Sequence, residues 1–157
     1  MRSPAIPRAR AAVVLVAGLV VVAVGCSKPA TPSQGQYAAM ADGVCQARDE
    51  KMDDLKDRYD ESVATASITG DESANVARPE RWVRAEIIPE YEAMSGQLKS
   101  IRPPAGDGDY LGDLYSDLDR LIVDLNSRPS RGRELISENT QLRGRFESYG
   151  MEICGTV

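Results

Sequence analysis

Beyond an apolar leader the chain has two cysteines, Cys45 and Cys154, one near each end of the part that can fold. In an exported domain two such residues form one disulfide. A link of that kind admits only folds in which the first and last elements finish side by side. Closing a loop of ~100 residues stabilises a fold by roughly 4–5 kcal/mol through the entropy removed from the unfolded chain. The spacing is not the Cys-x-x-Cys of a redox site, so a structural role is expected.

Export is read from the leader. Residues 1–10 hold three Arg and no acid, and residues 11–25 form an unbroken apolar run. The run is shorter than the ~20 residues of a membrane span and fits the apolar core of a secretory signal. It ends in Ala23-Val24-Gly25-Cys26, which resembles the bacterial lipobox: the Cys26 thiol is acylated and the leader is cut before it. This accounts for the odd third cysteine. A plain secreted chain and a retained signal anchor are the alternatives. The expected division is a signal peptide over 1–25, a lipidated Cys26 with a flexible Pro/Ser/Thr/Gly/Gln tether over 26–36, and a helical bundle over 37–157. Two acyl chains, at ~0.8 kcal/mol per buried methylene, would hold the protein permanently at the cell membrane on its extracytoplasmic face.

Of the 19 basic residues three lie in the leader, which has no acid, so the remainder carries 16 against 24 acidic residues, a formal charge of −8. Nucleic acid and anionic lipid surfaces would be repelled, so neither is an expected partner.

Apolar positions then recur at helical spacing in four segments. The first, about 36–63, uses Met40, Val44, Met52, Leu55, Tyr59 and Val63. A small polar loop, 66–78, follows. The second segment, about 79–102, uses Trp82, Ala85, Ile88, Tyr91, Met94, Leu98 and Ile101, and Pro89 inside it predicts a kink or break near 86–89. The third, about 107–126, has Tyr110, Leu111, Leu114, Leu118, Leu121, Ile122 and Leu125. The fourth, about 130–149, has Leu135, Ile136, Leu142, Phe146 and Tyr149, with Gly150 placed for a left-handed cap. Short turns favour antiparallel neighbours, so the expected fold is all-α: an up-down-up-down four-helix bundle, kinked near Pro89, with one disulfide.

The lipobox, the Pro/Ser-rich tether, the early Cys45, the Leu98-to-Pro104 turn (Leu-x-x-Ile-x-Pro-Pro) and the closing Gly150-to-Gly155 segment (Gly-x-x-x-Cys-Gly) together resemble small helical lipoproteins and secreted proteins of actinobacteria. The resemblance implies a fold and a location. It carries over no catalytic or binding residue.

The chain has no His. Ser-His-Asp and Cys-His catalysis, His-ligated zinc and haem, and the Glu-x-x-His di-iron site of helical bundles are thereby removed. Asp107 to Asp113 has the acids and glycine of a calcium loop at some positions but places Leu111 and Leu118 where ligands are needed. No glycine cluster precedes a Lys to cradle phosphate. No catalytic residue, metal site or cofactor is therefore expected. The sequence points to a non-catalytic binding or accessory module of the cell envelope, partnered by the membrane through its anchor and by an envelope protein or a small apolar ligand. In the carrier version Trp82, Tyr91, Tyr110, Tyr115 and Tyr149 line an inter-helix pocket beside Pro89. A hydrolase with two converging carboxylates is the remaining alternative.

Overall fold

A computed structural model describes residues 30–69 and 78–156. The expected signal peptide, Cys26, the first part of the tether and positions 70–77 of the expected loop lie outside the described residues.

Helix α1, Gln34–Thr69, opens inside the stretch expected to be tether. Ser33 and Gln36 explain this. The Ser33 hydroxyl accepts the Gln36 N–H at 3.3 Å, and Gln36 Oε1 accepts the Ser33 N–H at 2.9 Å. The pair is a capping box, in which Ser-x-x-Gln satisfies two backbone donors that a helix start leaves open. At its other end α1 runs past the expected limit. Thr65 and Ser67 return their hydroxyls to the carbonyls of Glu61 and Val63, and the helix is unbroken through Thr69.

The buried face of α1 also differs from the expected stripe. Tyr37, Ala41, Cys45, Arg48 and Leu55 are buried, whereas Met40 is 45% exposed. Counting large apolar residues favours Met40, but the chain that returns against this face packs on alanines. Arg48 is buried as well. Its guanidinium lies 5.0 Å from the Tyr91 ring centroid, and Nη1 donates to the Tyr91 hydroxyl at 3.3 Å. Its Nη2 is 2.7 Å from the Asp49 carboxylate without hydrogen-bond geometry, so the contact satisfies the charge rather than the donor.

Helix α2 covers residues 78–100. Within it Val83–Ile87 forms a π-helical turn and Ile88–Ser100 is regular α-helix. Pro89 has no N–H to give to the carbonyl four residues earlier, and its ring would strike it. The chain widens instead, and the Ile88 N–H bonds to the Val83 carbonyl, five residues back. The expected kink is thus a π turn, a form such helices take at a local insertion and one frequent at functional sites.

Helix α3, Gly108–Ser127, buries Leu111, Leu114, Tyr115, Leu118, Leu121, Ile122 and Leu125 in the core. Tyr110, expected on that stripe, is 38% exposed. A 3-10 turn, Pro129–Arg131, leads into α4, Gly132–Glu138, and then α5, Thr140–Tyr149. The expected fourth helix is therefore two. Asn139 divides them because its side chain accepts the Leu142 N–H and starts a new helix. Gly150, at φ 95°, ends α5. The Met151 N–H reaches the Phe146 carbonyl and the Gly150 N–H the Glu147 carbonyl, the two bonds of a Schellman cap.

The protein is all-helical among the described residues. Contacts pair the helices in opposite senses. Arg48 meets Tyr91 while Arg58 meets Glu86, and Ser95 meets Asp119 while Arg84 reaches the Asn126 carbonyl. The Tyr110 hydroxyl meets the Ser148 hydroxyl while Asp117 pairs with Arg145.

The closing segment, ending in a 3-10 turn at Cys154–Thr156, returns to α1. Cys45 and Cys154 have their Sγ atoms at a disulfide distance of 2.00 Å and their Cα atoms 5.2 Å apart. One turn before Cys45, the Asp42 carboxylate accepts three successive backbone N–H groups, those of Glu152, Ile153 and Cys154, at 3.0–3.1 Å. Consecutive amides turned to one carboxylate form a nest of positive potential filled by the protein's own anion.

Candidate binding cleft

The π turn borders a cleft of about 600 Å³ between α1, the start of α2, and the segment from Pro129 into α4. Its volume falls in the range of small-molecule sites, about 300–1,000 Å³. Val83 and Ile87, both buried on the π turn, form the base with Ile136 and Pro129. Met52 and Tyr59 of α1 and Trp82 supply a wall, the Tyr59 and Trp82 rings lying 4.8 Å apart at 42°. A π turn shifts the face of a helix by one residue, which places Trp82, Val83 and Ile87 together on this side.

Gly132 makes the near approach possible. A Cβ there would lie 2.8 Å from one methyl of Val83 and 3.0 Å from the other. Bare backbone at the start of α4 therefore rests directly on the π turn.

Polar groups complete the lining on two sides. From α1 come Asp53, Lys56 and Asp60, and from the opposite segment Ser130, Arg133 and Ser137. Lys56 Nζ is 3.1 Å from the Asp60 carboxylate. This hydrogen bond first, then the charges of Asp60, Asp57 and Asp53, raise the Lys56 pKa. Asp53 and Asp60 are both exposed, and a lysine stands between them in sequence. Two converging, desolvated acids are not what this cleft presents.

Of the five aromatic residues expected to line a pocket, the cleft contains Trp82 alone. Tyr91 lies deeper, against Arg48, and borders a void of about 10 Å³ with Met94, Leu118 and Phe146, room for at most one water. Tyr115, Tyr149 and Tyr110 gather at the other end of the bundle. The Tyr115 and Tyr37 hydroxyls are hydrogen-bonded, Tyr149 meets Tyr37 edge-on at 6.0 Å and stacks on Tyr110 at 5.4 Å, and its hydroxyl donates to Asp107. These rings were grouped by residue type, while helix direction separates them by the length of α3. Desolvation raises the pKa of Tyr37, Tyr91, Tyr115 and Tyr149, as it must for buried phenols.

Tyr59, Met52, Val83, Ile87 and Arg133 were not foreseen as lining residues. The sequence did hold one pointer to them, Pro89 inside a helix, but not which side the widened turn would open. Among the described residues no group of three or more His, Cys, Asp or Glu side chains is placed to hold a metal ion, and no helix is long and apolar enough to cross a membrane. Comparison with protein-family models, with curated proteins and with solved structures gave no match.

Proposed function

We propose that the protein is a non-catalytic binding module of the cell envelope, anchored on the extracytoplasmic face of the cell membrane through acylated Cys26, and that it carries a small, largely apolar ligand in the Trp82 cleft. The preformed cleft carries this reading. An apolar base on a helical turn, with polar groups at its edge, is the usual build of a small-molecule site. The export half rests on the leader sequence and on the Cys45–Cys154 pair, whose disulfide would persist in an oxidising compartment. The up-down-up-down order belongs to the same proposal, with α4 and α5 together filling the fourth position. It is supported by the opposite senses in which α1–α2, α2–α3 and α3–α5 make their contacts.

Trp82 is the single tryptophan of the chain, so its fluorescence reports the cleft directly. A neutral naphthylamine probe is expected to bind with energy transfer from Trp82, and Ile136→Arg, which puts a charge on the apolar base, is expected to weaken binding while the fold is kept. Absence of probe binding to the parent protein would remove the carrier reading. Membrane fractionation of Cys26→Ala tests the anchor: a variant still found wholly in membranes refutes acylation there.

A further inference from the structure

The cleft's charges are balanced and divided between its two walls. Two acids, Asp53 and Asp60, stand on α1. One base, Lys56, stands beside them and is held by Asp60, while the other, Arg133, stands alone on the α4 side. Among the described residues Asp53 and Arg133 have no ion-pair partner. Ser130, in the 3-10 turn, and Ser137, on α4, line the same side of the cleft as Arg133. Ser137 donates to the Glu134 carbonyl, which leaves Ser130 as the available donor.

We infer that the ligand is a zwitterionic amphiphile, with one apolar chain on Val83, Ile87 and Ile136, its anionic group at Arg133 and Ser130, and its cationic group at Asp53. This inference rests on the carrier reading above and adds the headgroup. A guanidinium on a wall that also carries serine hydroxyls suits a phosphate or carboxylate. Asp53 lines the same cleft from α1 and supplies the negative charge a cationic group would meet. A purely anionic amphiphile would meet the Asp53 side of the cleft and the formal −8 of the residues beyond the leader with its cationic partner missing. A purely cationic one would leave Arg133 unanswered. A neutral one would use only the apolar base.

Displacement of the naphthylamine probe by dodecyl amphiphiles below their micelle concentrations tests this: dodecylphosphocholine, dodecanoate, dodecyltrimethylammonium and dodecyl maltoside. Dodecylphosphocholine is expected to displace the probe at about tenfold lower concentration than the others, the fold-change of one charge-assisted contact. Arg133→Ala and Asp53→Ala, each checked by thermal melting for an intact fold, are expected to bring it to the level of the maltoside. Equal displacement by all four, strongest displacement by dodecanoate or dodecyltrimethylammonium, or a preference that survives both substitutions overturns the headgroup assignment and leaves the cleft standing. A parent protein that does not bind the probe overturns both.

Discussion

The Asp42 nest lends itself to a quantitative test of how the end of the chain is held. Asp42→Ala removes the acceptor for three N–H groups while leaving the Cys45–Cys154 link in place. Ile153 and Cys154 are partly or fully buried, so each orphaned amide costs about 1 kcal/mol. Glu152 is exposed and water replaces its bond, at a few tenths of a kcal/mol, roughly. Alanine returns about 0.5 kcal/mol of helix propensity relative to aspartate. The net loss is about 2 kcal/mol, which lowers Tm by about 6–8 °C for a domain of this size. Asp42→Asn keeps one acceptor oxygen for Ile153 and Cys154 and loses the charge, so about half that shift is expected. Calorimetry gives the shift, and amide hydrogen exchange locates it, with faster exchange at residues 152–154. A Tm change under about 1 °C for Asp42→Ala, with unaltered protection of the Ile153 and Cys154 amides, would falsify the idea that this carboxylate holds the tail.

Three further outcomes follow from the same contacts. Gly132→Ala gains up to about 1 kcal/mol of helix propensity but drives a methyl into the stiff, buried Val83 side chain, at about 1–3 kcal/mol. Overpacking wins, and thermal melts are expected to show destabilisation together with a shifted Trp82 emission; a stabilised variant with unchanged emission counts against direct contact. The disulfide spans 109 positions, so Cys45→Ser with Cys154→Ser is expected to cost about 4–5 kcal/mol by the chain-entropy relation, read by denaturant melts against the oxidised parent. An equal midpoint for both would mean that the link adds nothing.

The tyrosines set the alkaline limit. Tyr37, Tyr91, Tyr115 and Tyr149 have folded pKa values above the unfolded value of about 10, chiefly through desolvation, with the Tyr37 contact adding at Tyr115 and the Asp107 contact at Tyr149. Their contribution to stability is therefore complete below about pH 10 and is lost as pH rises through the higher folded values. Ultraviolet titration is expected to find four of the six tyrosines un-ionised in the folded chain at that point and released only on unfolding. Ionisation of these four near pH 10, with the helical signal intact, contradicts their burial.

How far the fold could be read from residues depended on the range of the interactions. The α3 stripe was legible because Leu111, Leu114, Leu118, Leu121, Ile122 and Leu125 all lie on one narrow face. Gly150 was legible because a left-handed cap needs little beyond its own turn. The capping box at Ser33 and the Asn139 break are equally local, and their residue types could have been recognised. Met40 and Tyr110 were misplaced because apolar size by itself does not say which side of a helix a neighbour will cover.

Sequence alone determined the helical character, the exclusion of histidine chemistry, and the pairing of Cys45 with Cys154. Each follows from composition or from spacing within a few turns. Tertiary structure decided where the concavity lies and what lines it. Pro89 made a local defect certain, but its relief as a π turn, the contact of Val83 with Gly132, and the meeting of Tyr59 with Trp82 all require segments distant in sequence to arrive together. The same holds for the tail: Cys154 was visible as a partner for Cys45, whereas nothing in the sequence marked Asp42 as the acceptor on which three backbone amides converge. A side chain's periodicity states which face it occupies; only the packed chain states what that face meets.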